Sequence, residues 1–254
     1  MALNIELRQR TSIREAHPSV DVTFPHGFKI LGGGASVEVI EPGSLLTACF
    51  PVNATTWRAS AKDHELSSPA SITAFAFALH DPENDYEVFI QKEVSDPIAH
   101  PNAIAVLPSG FVLTGGGASV QFFGAGSLLT ATFPNTATSW EARSKDHDIS
   151  DPSRITAFAI GIKPRKANVP PVVHSIKPHT GEVQPHPTAR VCLDPQFKLC
   201  GGGAFDQWSG AGNLLTGTFP STSDLGNRCW DARGKDHIHP SPAAIEVFAI
   251  GVRT

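Results

Sequence analysis

Gly-Gly-Gly-Ala occurs three times in this chain, at residues 32–35, 115–118 and 201–204. The copies start 83 and 86 residues apart, and each is followed by Leu-Leu-Thr, Phe-Pro, Trp, Lys-Asp-His and an apolar segment that ends near Phe-Ala. Self-similarity at a nearly constant period indicates one supersecondary unit used three times. The sequence therefore predicts three repeats of about 85 residues each, at 1–81, 82–165 and 166–254.

Composition restricts the class of protein. The 254 residues are 41% hydrophobic and 17% charged, which is enough apolar content for a packed core, and 22 glycines with 21 prolines favour a turn-rich β protein. The net charge of −4 predicts no general attraction to nucleic acid. No apolar run reaches the ~20 residues of a membrane span. Residues 1–14 lack the apolar core of a signal peptide, which predicts a cytoplasmic location, with export by a route without a signal peptide left open.

Alternation with a period of two predicts the strands. In residues 57–64, Trp57 and Asp63 share one face with small residues, whereas Lys62 and His64 share a polar face. Residues 140–147 and 230–237 repeat this pattern, which predicts a half-buried strand with its Lys and His in water. The closing segment at 72–79 is apolar on both faces and predicts a central strand.

These patterns predict an all-β fold with about five or six short strands in each repeat. The three repeats could close around a pseudo-threefold axis, in a prism-like or propeller-like arrangement that leaves few sheet edges. Closure is favoured because the linkers are short and the terminal repeats are not visibly polar caps. The alternative is three small β-sandwich units in a row. A strand is predicted to end at each proline of Phe-Pro, at Pro51, Pro134 and Pro220, and an insertion in the third repeat at 224–229 predicts a loop.

The glycine triplets favour a bulge or tight bend where another strand crosses. A strand-like segment follows the first two, so a phosphate-binding loop is not predicted. The aspartates of the three Lys-Asp-His motifs are expected to accept backbone N–H groups from the glycine loop or from the next turn, with a ligand-binding carboxylate as the alternative. Trp57, Trp140 and Trp230 predict core positions rather than sugar platforms. Trp208 is an extra aromatic residue that aligns with Val39 and Phe122 when the copies are matched from their glycines.

The repeated Lys-Asp-His motifs are the candidate site. Their presence in every copy, while their neighbours vary, suggests either a packing role or ligand binding. The candidate ligand-binding residues are Lys62, Asp63, His64, Lys145, Asp146, His147, Lys235, Asp236 and His237.

Other chemistry is less well supported by the sequence. His17, His100 and His186 each precede a proline; their convergence on an axis would create a three-histidine zinc site, but a structural role is favoured. His237 and His239 are expected on one strand face. No nucleophile elbow and no Cys-x-x-Cys motif is present, so no catalytic residue, metal or cofactor is predicted.

The four cysteines do not follow the repeat. One lies in the first repeat (Cys49) and three in the third (Cys192, Cys200 and Cys229), which excludes a repeated disulfide framework. Reduced thiols are the favoured interpretation, and a pair between Cys192 and Cys200 is the alternative.

In these motifs the chain resembles β-rich repeat modules of microbial proteins, which share Gly-Gly-Gly-Ala, a Trp and a closing Thr-Ala-Tyr-Ala-Ile pattern. The resemblance covers nearly the whole chain and implies a β fold, with no assigned activity. The threefold repeat is also similar in architecture, by analogy alone, to the prism lectins of the jacalin kind.

Three functions are compatible with these residues. The favoured one is a non-enzymatic, lectin-like protein that binds a small molecule or glycan at up to three equivalent sites, because repeated weak sites raise avidity. The alternatives are a hydrolase or lyase with one active site between repeats, using His and Asp, and a structural or toxin-like interaction module. The oligomeric state is left open.

Overall fold

The computed structural model describes residues 3–38, 42–124, 126–221 and 228–254, which form eighteen β-strands and no helix. The all-β prediction is confirmed, and six strands fall within each predicted repeat. The first repeat contains β1 (Ile5–Thr11), β2 (Ser19–Thr23), β3 (Phe28–Val37), β4 (Leu45–Pro51), β5 (Thr56–Lys62) and β6 (Ile72–His80). The second contains β7 (Tyr86–Val94), β8 (Asn102–Val106), β9 (Val112–Gln121), β10 (Leu128–Thr136), β11 (Ser139–Lys145) and β12 (Arg154–Pro164). The third contains β13 (Val173–Thr180), β14 (Thr188–Cys192), β15 (Lys198–Asp206), β16 (Leu214–Pro220), β17 (Cys229–Lys235) and β18 (Ile245–Arg253).

The described strands form three six-stranded antiparallel sheets, and each sheet is shared between two repeats. The strand orders are β1-β6-β3-β16-β17-β14, β2-β5-β4-β9-β12-β7 and β13-β18-β15-β10-β11-β8. Every repeat therefore gives three strands to one sheet and three to the next. This cyclic exchange is the closed, prism-like arrangement rather than a row of sandwiches. Strand edges that isolated repeats would leave open are paired with each other in the middle of each sheet.

The three glycine strands β3, β9 and β15 meet at the centre. A Cβ atom built on Gly32 would lie 2.5 Å from the carbonyl oxygen of Cys200, one on Gly115 would lie 2.7 Å from that of Leu31, and one on Gly201 would lie 2.5 Å from that of Thr114. Only glycine allows this approach of three backbones. The pairing register also shifts just before each triplet, so the predicted bulge at a strand crossing is confirmed.

The three repeat tryptophans are core residues, as the alternation with small residues predicts. Trp57, Trp140 and Trp230 are 0% exposed. The indole N–H groups of Trp140 and Trp230 donate to the hydroxyls of Thr132 and Thr218, at 2.9 and 2.8 Å. The closing strands β6, β12 and β18 are internal strands of their sheets, which confirms the prediction made from their two apolar faces.

Two expectations about the chain were wrong. Strand β10 does not end at Pro134: it continues to Thr136, because a register shift after the proline lets Thr136 pair with Ser139. The thiols of the third repeat are not all reduced, and the disulfide is not the alternative Cys192–Cys200 pair. Cys192 is joined to Cys229, its direct partner across β14 and β17.

Cys200 is instead a buried free thiol, as is Cys49, and burial raises the pKa of Cys49 to about 12. Residues 224–227 of the predicted insertion and Val39 lie outside the described residues. Within the part of the chain that is described, no helix has the length and apolar content needed to cross a membrane.

Candidate functional site

The Lys-Asp-His motifs lie where three strands end. Lys62, Lys145 and Lys235 are the last residues of β5, β11 and β17. The prediction that the lysines and histidines face water is wrong. The three lysines are 1–2% exposed and the three histidines, His64, His147 and His237, are each 1% exposed. The neighbouring repeat causes this burial, because its turn after the glycine strand covers the polar face.

Each buried lysine reaches that turn of the next repeat. The Nζ of Lys145 donates to the carbonyl oxygen of Ala211 at 2.8 Å and lies 4.0 Å from the ring centre of Trp208. Lys235 donates to the carbonyl oxygen of Pro42, and Lys62 lies 4.0 Å from the ring centre of Phe122. Burial lowers the pKa of Lys62 and of Lys145 to about 8, although nearby aspartates oppose the shift.

The aspartates stabilise the turns that follow them. The Oδ2 atoms of Asp63, Asp146 and Asp236 accept the backbone N–H of the residue five positions later, at 2.7, 2.9 and 2.8 Å. The expectation that these carboxylates accept N–H groups of the next turn is confirmed. An assignment as ligand-contacting residues stays a prediction.

The three histidines form a closed ring on the pseudo-threefold axis. The Nε2 atom of His64 lies 2.8 Å from the carbonyl oxygen of His147, that of His147 lies 2.9 Å from the oxygen of His237, and that of His237 lies 2.9 Å from the oxygen of His64. The ring centroids are 5.2–5.4 Å apart. Burial lowers the pKa of His147 and His237, while contacts with carbonyl oxygens oppose the shift.

A strained turn follows each histidine of the ring. Glu65, Asp148 and Ile238 have φ angles of 59°, 57° and 64°, a left-handed conformation that is rare for a β-branched residue such as Ile238. In each copy the amide N–H two residues after the histidine donates back to its carbonyl oxygen at 2.6 Å, the three-residue pattern of a γ-turn. The expectation that His237 and His239 share a strand face is therefore wrong, because β17 ends before them and the chain turns.

The histidines that precede proline do not take part in the ring. His17, His100 and His186 are exposed. The ring nitrogens that the fold brings together are those of His64, His147 and His237, each within 4.8 Å of the others. Convergence of His17, His100 and His186 on an axis, the less favoured alternative, is not found, because they precede the strands β2, β8 and β14, which lie at the edges of the three sheets.

An open groove of about 430 Å³ lies on the surface at the junction of the second and third repeats. It is lined by His100, Asn102, Arg143, Phe205, Gln207 and Trp208, among others. The Trp208 ring is half-buried, with the His100 ring against it at 5.4 Å in an edge-to-face contact and the Lys145 ammonium on it. The sequence does not predict this groove; the signal available in it was Trp208, an aromatic residue that differs from its counterparts in the other repeats.

Asp206 also borders the groove. It is 0% exposed, neither carboxylate oxygen has a hydrogen-bond partner among the described residues, and burial raises its pKa to about 7. The aligned residues of the other repeats are Val37 and Val120, so this buried acid is a feature of one junction alone.

No protein-family model and no curated protein matches this sequence. Among solved structures, one match is a chain from work on the triple jelly roll fold and turret assembly in an archaeal virus. The match covers 99% of this chain and 90% of that chain, with 8% identity and a TM-score of 0.18. A likeness of that size supports no statement about the fold or the function of this protein.

Proposed function

We propose that this protein is a non-enzymatic, lectin-like binding protein whose principal carbohydrate-type site is the groove beside Trp208. The observation that supports the proposal is that Trp208 is held by contacts with both the His100 ring and the Lys145 ammonium. A fixed aromatic surface lowers the entropic cost of binding, because its orientation is set before the ligand arrives.

The composition of the groove fits a sugar ring. An indole offers an apolar face to the C–H groups of a pyranose, and ligand sites combine such surfaces with a few placed polar groups. Asn102 and Gln207 are exposed and provide amide donors and acceptors for hydroxyl groups. Arg143, which lies 4.7 Å above the ring of Phe205, adds charged donors on the same side.

The Lys-Asp-His residues take an indirect part in this proposal. Lys145 supports Trp208 from inside the protein, and Lys62 supports Phe122 in the equivalent place at the junction of the first and second repeats. In this proposal the groove beside Trp208, rather than the Lys-Asp-His triplets, is the binding site. The junctions are not identical, since the aligned residues are Trp208, Phe122 and Val39.

Glycan-array screening followed by calorimetry tests the proposal. We expect wild-type protein to bind a glycan class and Trp208→Ala to weaken that binding by about 10-fold or more, equivalent to ~1.4 kcal/mol. Phe123→Ala is the matched control, because Phe123 is an aromatic residue of the aligned turn and is 88% exposed. Absence of glycan binding, or equal affinity in the Trp208→Ala variant, would reject the groove as a sugar site.

A hydrolase is the second candidate, and Asp206 is the observation that favours it. A carboxyl group with a pKa near 7 beside a groove has the property of a general acid. The test is release of reducing ends from the glycan that binds. A turnover abolished by Asp206→Asn with unchanged glycan affinity would replace the lectin proposal by a glycosidase.

The disulfide of the third repeat is relevant to the cellular location of the protein. A Cys192–Cys229 bond is typical of an oxidising environment, whereas the sequence predicts a cytoplasmic protein. Thiol counting on freshly prepared protein, with and without a reductant, separates the two, because two additional reactive thiols appear on reduction only if the bond is formed in the cell.

A further inference from the structure

The histidine ring has a polarity that its own groups do not satisfy. The Nδ1 atoms of His147 and His237 lie 2.6 and 3.2 Å from the carbonyl oxygens of Ala211 and Pro42. A carbonyl oxygen only accepts, so these Nδ1 atoms carry the ring proton. In a neutral imidazole the Nε2 atom then carries a lone pair. In both His147 and His237, however, this atom lies 2.9 Å from the carbonyl oxygen of the next histidine of the ring.

A positive charge on the axis removes this conflict. One bound cation does so better than a proton on each ring, because imidazolium charges with ring centroids 5.2–5.4 Å apart repel one another. Without a positive charge, the Nε2 lone pairs of His147 and His237 face the lone pairs of carbonyl oxygens, in side chains that are 1% exposed. An anion would make the repulsion worse, because the three carbonyl oxygens also point there. The ligand that the ring suits is a cation that accepts electron pairs from imidazole nitrogen.

The dimensions suit a metal ion. One ring nitrogen from each histidine lies within 4.8 Å of those of the other two. An ion at the centre of a triangle of that size is about 2.8 Å from each corner, against a Zn–N bond of about 2.0–2.1 Å, so a shift of about 0.7 Å by each ring completes the bonds.

The surroundings of the ring resemble those of ligating histidines. A metal-binding imidazole usually donates its second N–H to a carbonyl or carboxylate, which fixes the ring; Ala211 and Pro42 accept in this way. The carboxylates of Glu65 and Asp148 lie 3.3 and 3.2 Å from the Nε2 atoms of His64 and His147, where they supply negative charge. The strained turns at Glu65, Asp148 and Ile238 hold these groups in place, and backbone strain clusters at binding sites.

We propose that His64, His147 and His237 bind one divalent metal ion of the zinc, cobalt or nickel class on the pseudo-threefold axis, with their Nε2 atoms as ligands. One ion then ties three repeats together. Imidazole nitrogen suits these borderline metals better than magnesium or calcium, which prefer oxygen ligands. This site is independent of the groove at Trp208, and glycan binding decides nothing about it.

The experiment uses full-length protein freed of metal with a chelator and titrated with Zn²⁺ by calorimetry. We expect one tight site per chain. A free Zn²⁺ concentration of 100 times the dissociation constant should raise the melting temperature by about 5–10 °C. Side-chain nitrogen NMR should show ligand shifts for three of the eleven histidines. His147→Gln, whose side-chain amide can donate to the carbonyl oxygen of His237, should weaken the tight site by about 100-fold or more.

The matched control removes the same number of imidazoles from the surface. The triple variant His17→Ala, His100→Ala, His186→Ala should keep the tight site, because those side chains are exposed and outside the ring. No tight Zn²⁺ site in the wild-type protein overturns the proposal, and so does a tight site that survives in His147→Gln or disappears in the surface variant. If His147→Gln does not fold, the NMR result on wild-type protein decides: shifts at histidines other than the three of the ring overturn the proposal.

Discussion

The axis and the junction grooves of this protein have diverged to different degrees. On the axis the three repeats carry identical groups, with His64, His147 and His237 in the ring and a lysine two residues before each. Seven residues after the first glycine of each triplet, the sequence has Val39, Phe122 and Trp208. A closed ring needs the same contact three times, whereas the groove beside Trp208 is built at the junction of the second and third repeats. Identity among the repeats therefore indicates what closure requires, and differences indicate where a ligand site can specialise.

The axis should be the part least tolerant of change. Gly115→Ala places a methyl group 2.7 Å from the carbonyl oxygen of Leu31 and 2.8 Å from the Cα atom of Gly32. Because both contacts are backbone atoms, we expect a loss of about 4 kcal/mol or more in the free energy of unfolding, or no folded protein. Chemical denaturation measures it. Gly110→Ala is the control, since its Cβ meets nothing within 4 Å, and its cost should be about 1 kcal/mol from the positive φ of 86°.

The buried acid of one groove should give that junction a pH dependence. The pKa of Asp206 is raised to about 7 in the folded protein from a usual value of 3.8. Between these two pH values the folded protein keeps the proton, whereas the unfolded chain has already released it. Stability supplied by the neutral carboxyl is present at pH 4 and is lost as the pH rises through 7. We expect Asp206→Asn to remove a fall of roughly 3 kcal/mol between pH 4 and 8. Equal pH profiles for the two proteins in urea denaturation would contradict this cause.

Variants of the strained turns test whether these positions require a backbone conformation or a particular side chain. Ile238 is 43% exposed and has a φ of 64°, so Ile238→Gly removes backbone strain with little loss of packing. We expect a gain of about 1 kcal/mol in the free energy of unfolding. The same change at Glu65 also removes a carboxylate 3.3 Å from His64, and the gain there should be smaller. Thermal denaturation of both variants compares them.

The smallest effect on stability, and the sharpest test of groove specialisation, is a graft. Phe122→Trp places an indole over Lys62, as Trp208 lies over Lys145. We expect a change in stability within about 0.5 kcal/mol, because Phe122 is only half-buried. Calorimetric stoichiometry for the glycan should rise toward two sites per chain. A stoichiometry that stays at one would show that the aromatic residue alone does not make a site.

Much of the architecture was predictable because local patterns repeat. The period of the Gly-Gly-Gly-Ala motif predicts three units, two-residue alternation predicts their strands, and Trp57 among small residues predicts a core position. The error at Lys62 and His64 has a specific cause. Alternation reports two faces of a strand, and a polar face normally lies in water; here a turn from the next repeat covers it. The disulfide partner of Cys192 likewise depends on the register of β14 with β17.

By itself the sequence determined that this chain is all-β, threefold and built around glycine, since periodicity and the absence of a Cβ are local properties that act wherever the segment folds. Only the tertiary structure decided that the strands are exchanged between repeats, that three histidines meet on one axis and that Trp208 stands over Lys145. These features join residues separated by 60 or more positions. The physical reason is that such contacts follow from how whole sheets pack, which no local pattern encodes.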